Sequence, residues 1–445
     1  MSAPELRKSL RTFDGVALLL GITIGSGIYS TPSVIAGYFE AWSGVILTWV
    51  IVGMFVMVGG LIYAELGTRL PETGGEYAYI TRCFGPFAGF MFGWAQLFII
   101  RTSPGAGLAI VATDYIGFFL PLSGRGRMLV AVSLLVAVGF LNYVGVHWSS
   151  RFQKVTTVVK VGGLLLFAVL FVVLLGGAES QLATRATSLP NAGLMANLIP
   201  ALMLVVFTHT GWDRVGYVAG EIEKPREVIP RSMVLGLGLV LLVYWTVVTI
   251  YHYALGMEGT RATTTPAADV ATLMLGPVGA SIVAVLAILS AVGSINGTTM
   301  AASRVYYAMA RDGVFLKWLD FVHPRFRTPS RAIVAHVMWA IVILMLRGSF
   351  ESIAAGMVFA ILIFYTLTTL ALFKLRRQRV GEEEAFLMPG YPILPLLYLS
   401  GVVGLLAVRA IFEWEKSLVD IAFVATGIPF SWLWLRRSKG VGTAA

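Results

Sequence analysis

The sequence is poor in the residues that build soluble enzymes. It has one cysteine and five histidines among 445 residues, and only 13% of the chain is charged. With Cys83 alone no internal disulfide forms, which excludes a disulfide-stapled secreted scaffold, and the residue reads as structural. His147, His209, His252, His323 and His336 include no pair at ligand spacing and no neighbouring acidic partner, so neither a metal centre nor a cofactor is expected. His323, ahead of Pro324 in a basic stretch, reads as solvated. No nucleophile stands beside a base, and the chain does not read as an enzyme. Soluble domains carry roughly 25% charged residues. The deficit here also rules out a disordered scaffold.

What the chain does have is apolar surface. Hydrophobic residues make up 57% of it, and the mean hydropathy is +0.82. Such a composition belongs to a chain dissolved in lipid. The formal charge of +10 would point to nucleic acid in a soluble protein. Here the basic residues gather in loops, so they read as a topology signal and no nucleic-acid partner is expected. The polar start, MSAPELRKSLRTFDG, leads into a long apolar stretch with no small-residue cleavage site, so no removable signal peptide is expected.

A spanning helix takes about 20 apolar residues. Twelve segments qualify, at 13–38, 42–65, 84–118, 126–147, 153–176, 195–219, 232–256, 277–303, 332–346, 352–373, 391–410 and 417–435. The third and eighth are long enough to be tilted or bent. The longer connections are 177–194, 257–276, 304–331 and 374–390, and the last reads as a solvated linker. Alternating the loops places 23 basic residues on the side of the N-terminus and 7 on the other. By the positive-inside rule this predicts twelve passes, with the tails 1–12 and 436–445 both cytoplasmic. An inner (plasma) membrane protein is expected. Glu65 and Glu76, at the inner face, read as a salt-bridge network with nearby arginines.

Three basic residues, Arg101, Lys160 and Arg214, fall inside apolar segments, where a charge costs at least ~2.5–3.5 kcal/mol. Arg101 either snorkels or pairs. Arg214 follows Asp213 and reads as half of a local charge pair facing a polar cavity. Lys160 has no acidic residue nearby in sequence. It either snorkels to the cytoplasmic face or stands as a fixed ammonium in a place that a bound cation would otherwise fill.

The first segment, LLLGITIGSGIYSTP, carries Gly25-Ser26-Gly27 at its middle. That triplet fits an unwound stretch or a close helix-packing motif equally well. The sixth segment resolves the choice: VVFTHTGWDRVGYVAGE is interrupted at mid-depth by His209, Thr210, Gly211 and Asp213. Two discontinuous helices in corresponding positions of two halves mark a transporter binding site. Unwound backbone is tolerated in a membrane only where it lines a cavity or meets a ligand. Free N–H groups after Gly27 suit a carboxylate. Carbonyls ending the first half-helix, and those near Phe207 and Thr210, suit an ammonium. The ligand that carries both is a zwitterion.

Several stretches together resemble one family: GSGIY, ELGTRLPETGGEYAYI, IIRTSPGAG, FTHTGWDRVGYVAGEIEKPREVIPRS and GSINGTTMAASRVYYAMARDG. They are similar, over essentially the whole chain, to the L-type amino acid transporters of the amino acid–polyamine–organocation superfamily, in a prokaryotic-type form. The resemblance implies an all-α polytopic protein with a five-plus-five inverted-repeat (LeuT-type) fold. Helices 1–5 would span 13–176, helices 6–10 would span 195–374, and helices 11 and 12 would be appended at 391–435. It implies sodium-independent transport of α-amino acids by alternating access, as an exchanger, with a proton-coupled symporter as the alternative. The substrate site would comprise Thr23, Gly25, Ser26, Gly27, Phe207, His209 and Thr210. Backbone around Ser26 and Gly27 would hold the carboxylate, and carbonyls of Thr23, Phe207 and Thr210 the amino group. Lys160, Phe207 and Asp213 would couple and gate, with the Phe207 ring closing the site from outside and Lys160 replacing a sodium ion. Animal members join a heavy chain through an external cysteine, which this sequence lacks, so no covalent heavy chain is expected. His209 and Thr210 stand where the family often has an aromatic residue and a glycine. An imidazole and a hydroxyl near the pocket bear on substrate preference, and under proton symport Lys160 or His209 would carry the proton.

Overall fold

The computed structural model describes residues 11–25, 27–71, 74–185, 193–311, 313, 315–383 and 385–432. Among the described residues the chain is all α-helical, with only an isolated bridge between Ala41 and Arg185. The first apolar segment splits into α1 (Thr12–Thr23) and α2 (Gly27–Ala36), and α3 is Trp42–Arg69. After α4 (Glu76–Phe84), α5 (Pro86–Ala95) passes through a π-helical turn, Gln96–Ile100, into α6 (Thr102–Gly117). Then come α7 (Gly124–Val144), α8 (Val146–Leu175) and α9 (Gly193–Thr208), which continues as a 3-10 helix, Trp212–Glu221. The chain closes with α10 (Pro225–Ala262), α11 (Pro266–Arg311), α12 (Ser330–Arg347), α13 (Phe350–Arg377), α14 (Ile393–Phe412) and α15 (Trp414–Ala425).

Ten helical stretches among the described residues are long and apolar enough to cross a membrane, or eleven when the bent pair α1–α2 counts as one span. The twelfth expected segment begins as α15, and residues 433–435 lie outside the described residues, as do most of the N-terminal tail and all of the C-terminal one. The connections read as loops from sequence are partly helical. Residues 257–276 are two short helices, because Gly256 (φ 68°) and Gly276 (φ 66°) turn the chain at the ends of spanning helices without ending helical structure. The third segment, read as long enough to be tilted or bent, contains the π turn. Its displaced carbonyls take side-chain donors: Tyr306 Oη donates to Gln96 O (3.1 Å), Thr102 Oγ1 to Leu97 O (3.0 Å) and Trp339 Nε1 to Phe98 O (2.6 Å).

Close packing of small residues sets how the helices meet. A methyl added at Gly53 of α3 would lie 2.7 Å from Leu241 of α10, and one at Gly236 would lie 3.0 Å from Leu19 of α1. At both contacts a larger residue would displace the leucine, and small residues favour such close approach in membrane helix pairs generally. In contrast, α8 turns Val158 (74% exposed) and Val173 (72%) outward. That surface requires a hydrocarbon solvent.

Most of the buried charge among the described residues is paired. Glu65 accepts from Arg69 Nε (2.8 Å), Arg376 Nε (2.7 Å) and Nη2 (2.6 Å), and the Met388 amide (3.0 Å). This is the arginine network expected there, and Tyr63 Oη donates to Glu76 beside it. Arg347 and Arg409, near the C-terminal ends of α12 and α14, both bind the buried Asp420. Arg409 Nη2 lies 2.7 Å from Asp420 Oδ2, and the cluster ties α12, α14 and α15 together.

Candidate substrate site

Two helix ends meet at the centre of the fold. α1 stops at Thr23 and α2 restarts at Gly27, with the axes bent by 50°. α9 stops at Thr208, and Gly211 adopts φ 112° before the 3-10 helix. A side chain at Gly211 would meet Ile22 Cγ2 at 2.9 Å and the Ile22 carbonyl at 3.3 Å, so glycine is what lets the two breaks touch. Gly27 packs in the same way on Thr208, with 3.3 Å left for a methyl.

Between the breaks lies a cavity of about 50 Å³, at ~10–15 Å³ per water enough for a few solvent molecules. Thr23, Gly25, Gly27, Phe207 and Thr210 from the expected set all line it. Ser26 lies outside the described residues. Arg214, Ser294 and Thr298 line it too and were not in that set. The Phe207 ring meets Phe350 of α13 edge-on at 5.4 Å.

Three of the expected residues stand outside the cavity wall. His209 packs against Trp49 (5.6 Å) and Tyr244 (5.0 Å), while its Nδ1 meets the Val205 carbonyl at 2.8 Å. The imidazole is therefore behind the break. Asp213 is buried next to the cavity, its Oδ2 lying 3.4 Å from Arg214 Nε and 3.6 Å from Arg101 Nη2. The local charge pair read from sequence is present, and Arg101 pairs instead of snorkelling. Lys160 is fully buried on α8 and does not snorkel either. Its Nζ donates to the Gly21 carbonyl (2.6 Å) and to Ser294 Oγ (3.4 Å), pinning the end of α1 to α8 and α11.

Two of the expected carbonyls already carry two hydrogen bonds each. Phe207 O already accepts from the Thr210 amide (3.0 Å) and Thr210 Oγ1 (2.7 Å), which engages both lone pairs. Thr23 O accepts from the Gly25 amide (2.8 Å) and from Tyr244 Oη (2.8 Å). Tyr244 also lies 3.1 Å from Thr208 O, so one hydroxyl proton is shared between the ends of both half-helices. Sequence reasoning missed Tyr244 because it sits in an unbroken apolar run, LVLLVYWTVV, where an aromatic residue reads as core.

Fold and site define a polytopic helical membrane protein with two interrupted helices around a small polar cavity. The chain belongs to the amino acid permease family, whose pattern matches residues 10–426, within the amino acid–polyamine–organocation superfamily. It is 30% identical to the serine/threonine exchanger SteT of Bacillus subtilis over 95% of this chain and 96% of that protein. It is 26% identical to the human b(0,+)-type amino acid transporter 1, covering 98% of this chain and 90% of the relative. The human cystine/glutamate transporter is also 26% identical, over 98% and 87%. These relatives are transporters, and the L-type resemblance read from the sequence motifs is borne out.

Proposed function

We propose that the protein is a sodium-independent exchanger of α-amino acids in the plasma membrane, working by alternating access, with both termini cytoplasmic. The observation that carries the reading is Lys160. Its ammonium holds the Gly21 carbonyl and the Ser294 hydroxyl together beside the broken helices, a position suited to a coupling cation. A cation supplied by the chain leaves no task for sodium. The substrate carboxylate is held at the α2 N-terminus, where Gly25 and Gly27 leave the backbone accessible. The amino group is held at the Thr23 and Thr210 end of the cavity. Phe207 against Phe350 forms the outer closure, and Asp213 belongs to the inner one. The location of His209 behind the break disfavours it as the proton carrier of a symporter. No covalent heavy chain is proposed, since the sole cysteine, Cys83, is buried.

The direct test is uptake of labelled amino acids into proteoliposomes, empty or preloaded, with sodium and pH gradients imposed separately. Uptake confined to preloaded vesicles and indifferent to sodium is the expected result. Sodium-driven uptake would overturn the assignment of Lys160.

Tyr244 gives a second prediction. Tyr244→Phe keeps the ring packing and removes the donor shared by Thr23 and Thr208. A lost hydrogen bond of this kind is worth about 1–1.5 kcal/mol, so KM for the preferred amino acid should rise by roughly tenfold. The purified variant should still elute as the wild type does. An unchanged KM would assign Tyr244 to packing alone.

A further inference from the structure

Arg214 is the charged side chain on the cavity wall, and its carboxylate partner is shared. Asp213 Oδ2 lies 3.4 Å from Arg214 Nε and 3.6 Å from Arg101 Nη2. Arg214 thus has part of one carboxylate. Among the described residues no other acidic group lies within ion-pair distance of it. The guanidinium is mostly enclosed, with 12% of the side chain exposed, and the residue lines the cavity. A buried cation with an incomplete counter-charge is costly unless something else completes it. On another part of the wall, Ser294 and Thr298 supply hydroxyls, and Pro104 and Leu108 of α6 supply an apolar side. Among the described residues no acidic side chain lines the wall, and Lys160, a second cation nearby, is met by a carbonyl and a hydroxyl.

We infer that the site takes α-amino acids whose short side chain ends in a carboxylate, and that Arg214 is the residue that reads it. This deepens the amino acid exchanger reading and rests on it. The α-carboxylate and amino group occupy the broken backbone as for any α-amino acid. The side-chain carboxylate then turns to Arg214, completing the charge that Asp213 divides between two arginines. A guanidinium presents donors in a planar fork that matches a carboxylate. The small cavity limits the side chain to a few atoms. Alanine binds through its backbone groups only and leaves Arg214 as it is in the empty site.

The experiment compares aspartate, glutamate, asparagine, serine and alanine as counter-substrates in preloaded proteoliposomes, for the wild type, Arg214→Gln and Arg214→Lys. The readout is the KM ratio of each amino acid to alanine, which is insensitive to the fraction of active protein. Aspartate or glutamate is expected to have a KM at least tenfold below that of alanine. Arg214→Gln should collapse that ratio toward one, and Arg214→Lys, which keeps the charge without the fork, should retain part of it. Wild-type exchange of alanine and serine with no preference for the acidic pair overturns this inference and leaves the exchanger reading standing. An acidic preference that survives in Arg214→Gln overturns the role of Arg214. Exchange of none of the five amino acids overturns the exchanger reading and this inference together. If both variants fail to assemble, ligand-induced thermal stabilisation of the wild type decides: a larger shift with aspartate or glutamate than with alanine supports the inference, and an equal shift overturns it.

Discussion

Glu65→Ala should lower folding stability by about 3–5 kcal/mol, the usual consequence of removing one partner from a buried ion cluster. Glu65 is fully buried and takes four hydrogen bonds, three of them from Arg69 and Arg376. Without it two guanidiniums face each other in a dry site. Arg69 retains the Val380 carbonyl at 2.8 Å, and Arg376 retains the Tyr391 ring at 3.7 Å, but neither supplies a counter-charge. A thermal melt of the detergent-purified protein measures the loss. The double variant Glu65→Ala with Arg376→Ala should be less damaging than the two single losses added, because the second change removes a charge the first one strands. A wild-type Tm for Glu65→Ala would mean that the cluster is solvated and contributes nothing.

Lys160→Ala should reduce exchange by about 100-fold while leaving an intact, monodisperse protein. A hydrogen bond from a charged donor contributes about 1.5–3 kcal/mol, and each 1.4 kcal/mol is worth about a factor of ten. The ammonium holds Gly21 and Ser294 at the point where α1 breaks, so its loss falls on the geometry of the substrate site more than on the bundle. Lys160→Gln keeps a donor and should lie between the two. Size-exclusion chromatography separates a transport defect from misfolding. If Lys160 occupies the place of a coupling ion, sodium should restore part of the lost exchange in the alanine variant. Exchange at the wild-type rate in Lys160→Ala would reduce the residue to packing.

Both helix breaks were legible because glycine and polar residues interrupt apolar runs that have no other reason to be interrupted. Gly211 shows why: its φ of 112° and the 2.9 Å approach of Ile22 leave no room for a side chain. The spanning segments were legible from hydropathy, since α3 is a long apolar run and α8 remains one on either side of Lys160. Features that depend on partners distant in sequence were not. Asp420 joins residues from three helices, and nothing in the neighbourhood of Arg347 or Arg409 announces it. The π turn of Gln96–Ile100 is invisible for the same reason, because two of the donors that make it tolerable come from α11 and α12. His209 was drawn toward the pocket by its position beside Thr210. A helix end rotates about 100° per residue, and that one step carries the imidazole to Trp49 and Tyr244 instead.

The ammonium of Lys160 is part of α8 and stays with the protein through every turnover. For the proposed exchanger this sets the relation to membrane voltage. Moving one elementary charge through 100 mV is worth about 2.3 kcal/mol, and a carrier with a travelling sodium ion draws on that work in each cycle. Here a swap of two amino acids of equal charge moves no current, and its direction follows only their concentration ratios. A swap of an acidic for a neutral amino acid carries one negative charge, and the polarised membrane then drives the acidic partner outward. The current measured across a planar bilayer is thus a direct report of which pairs the protein exchanges.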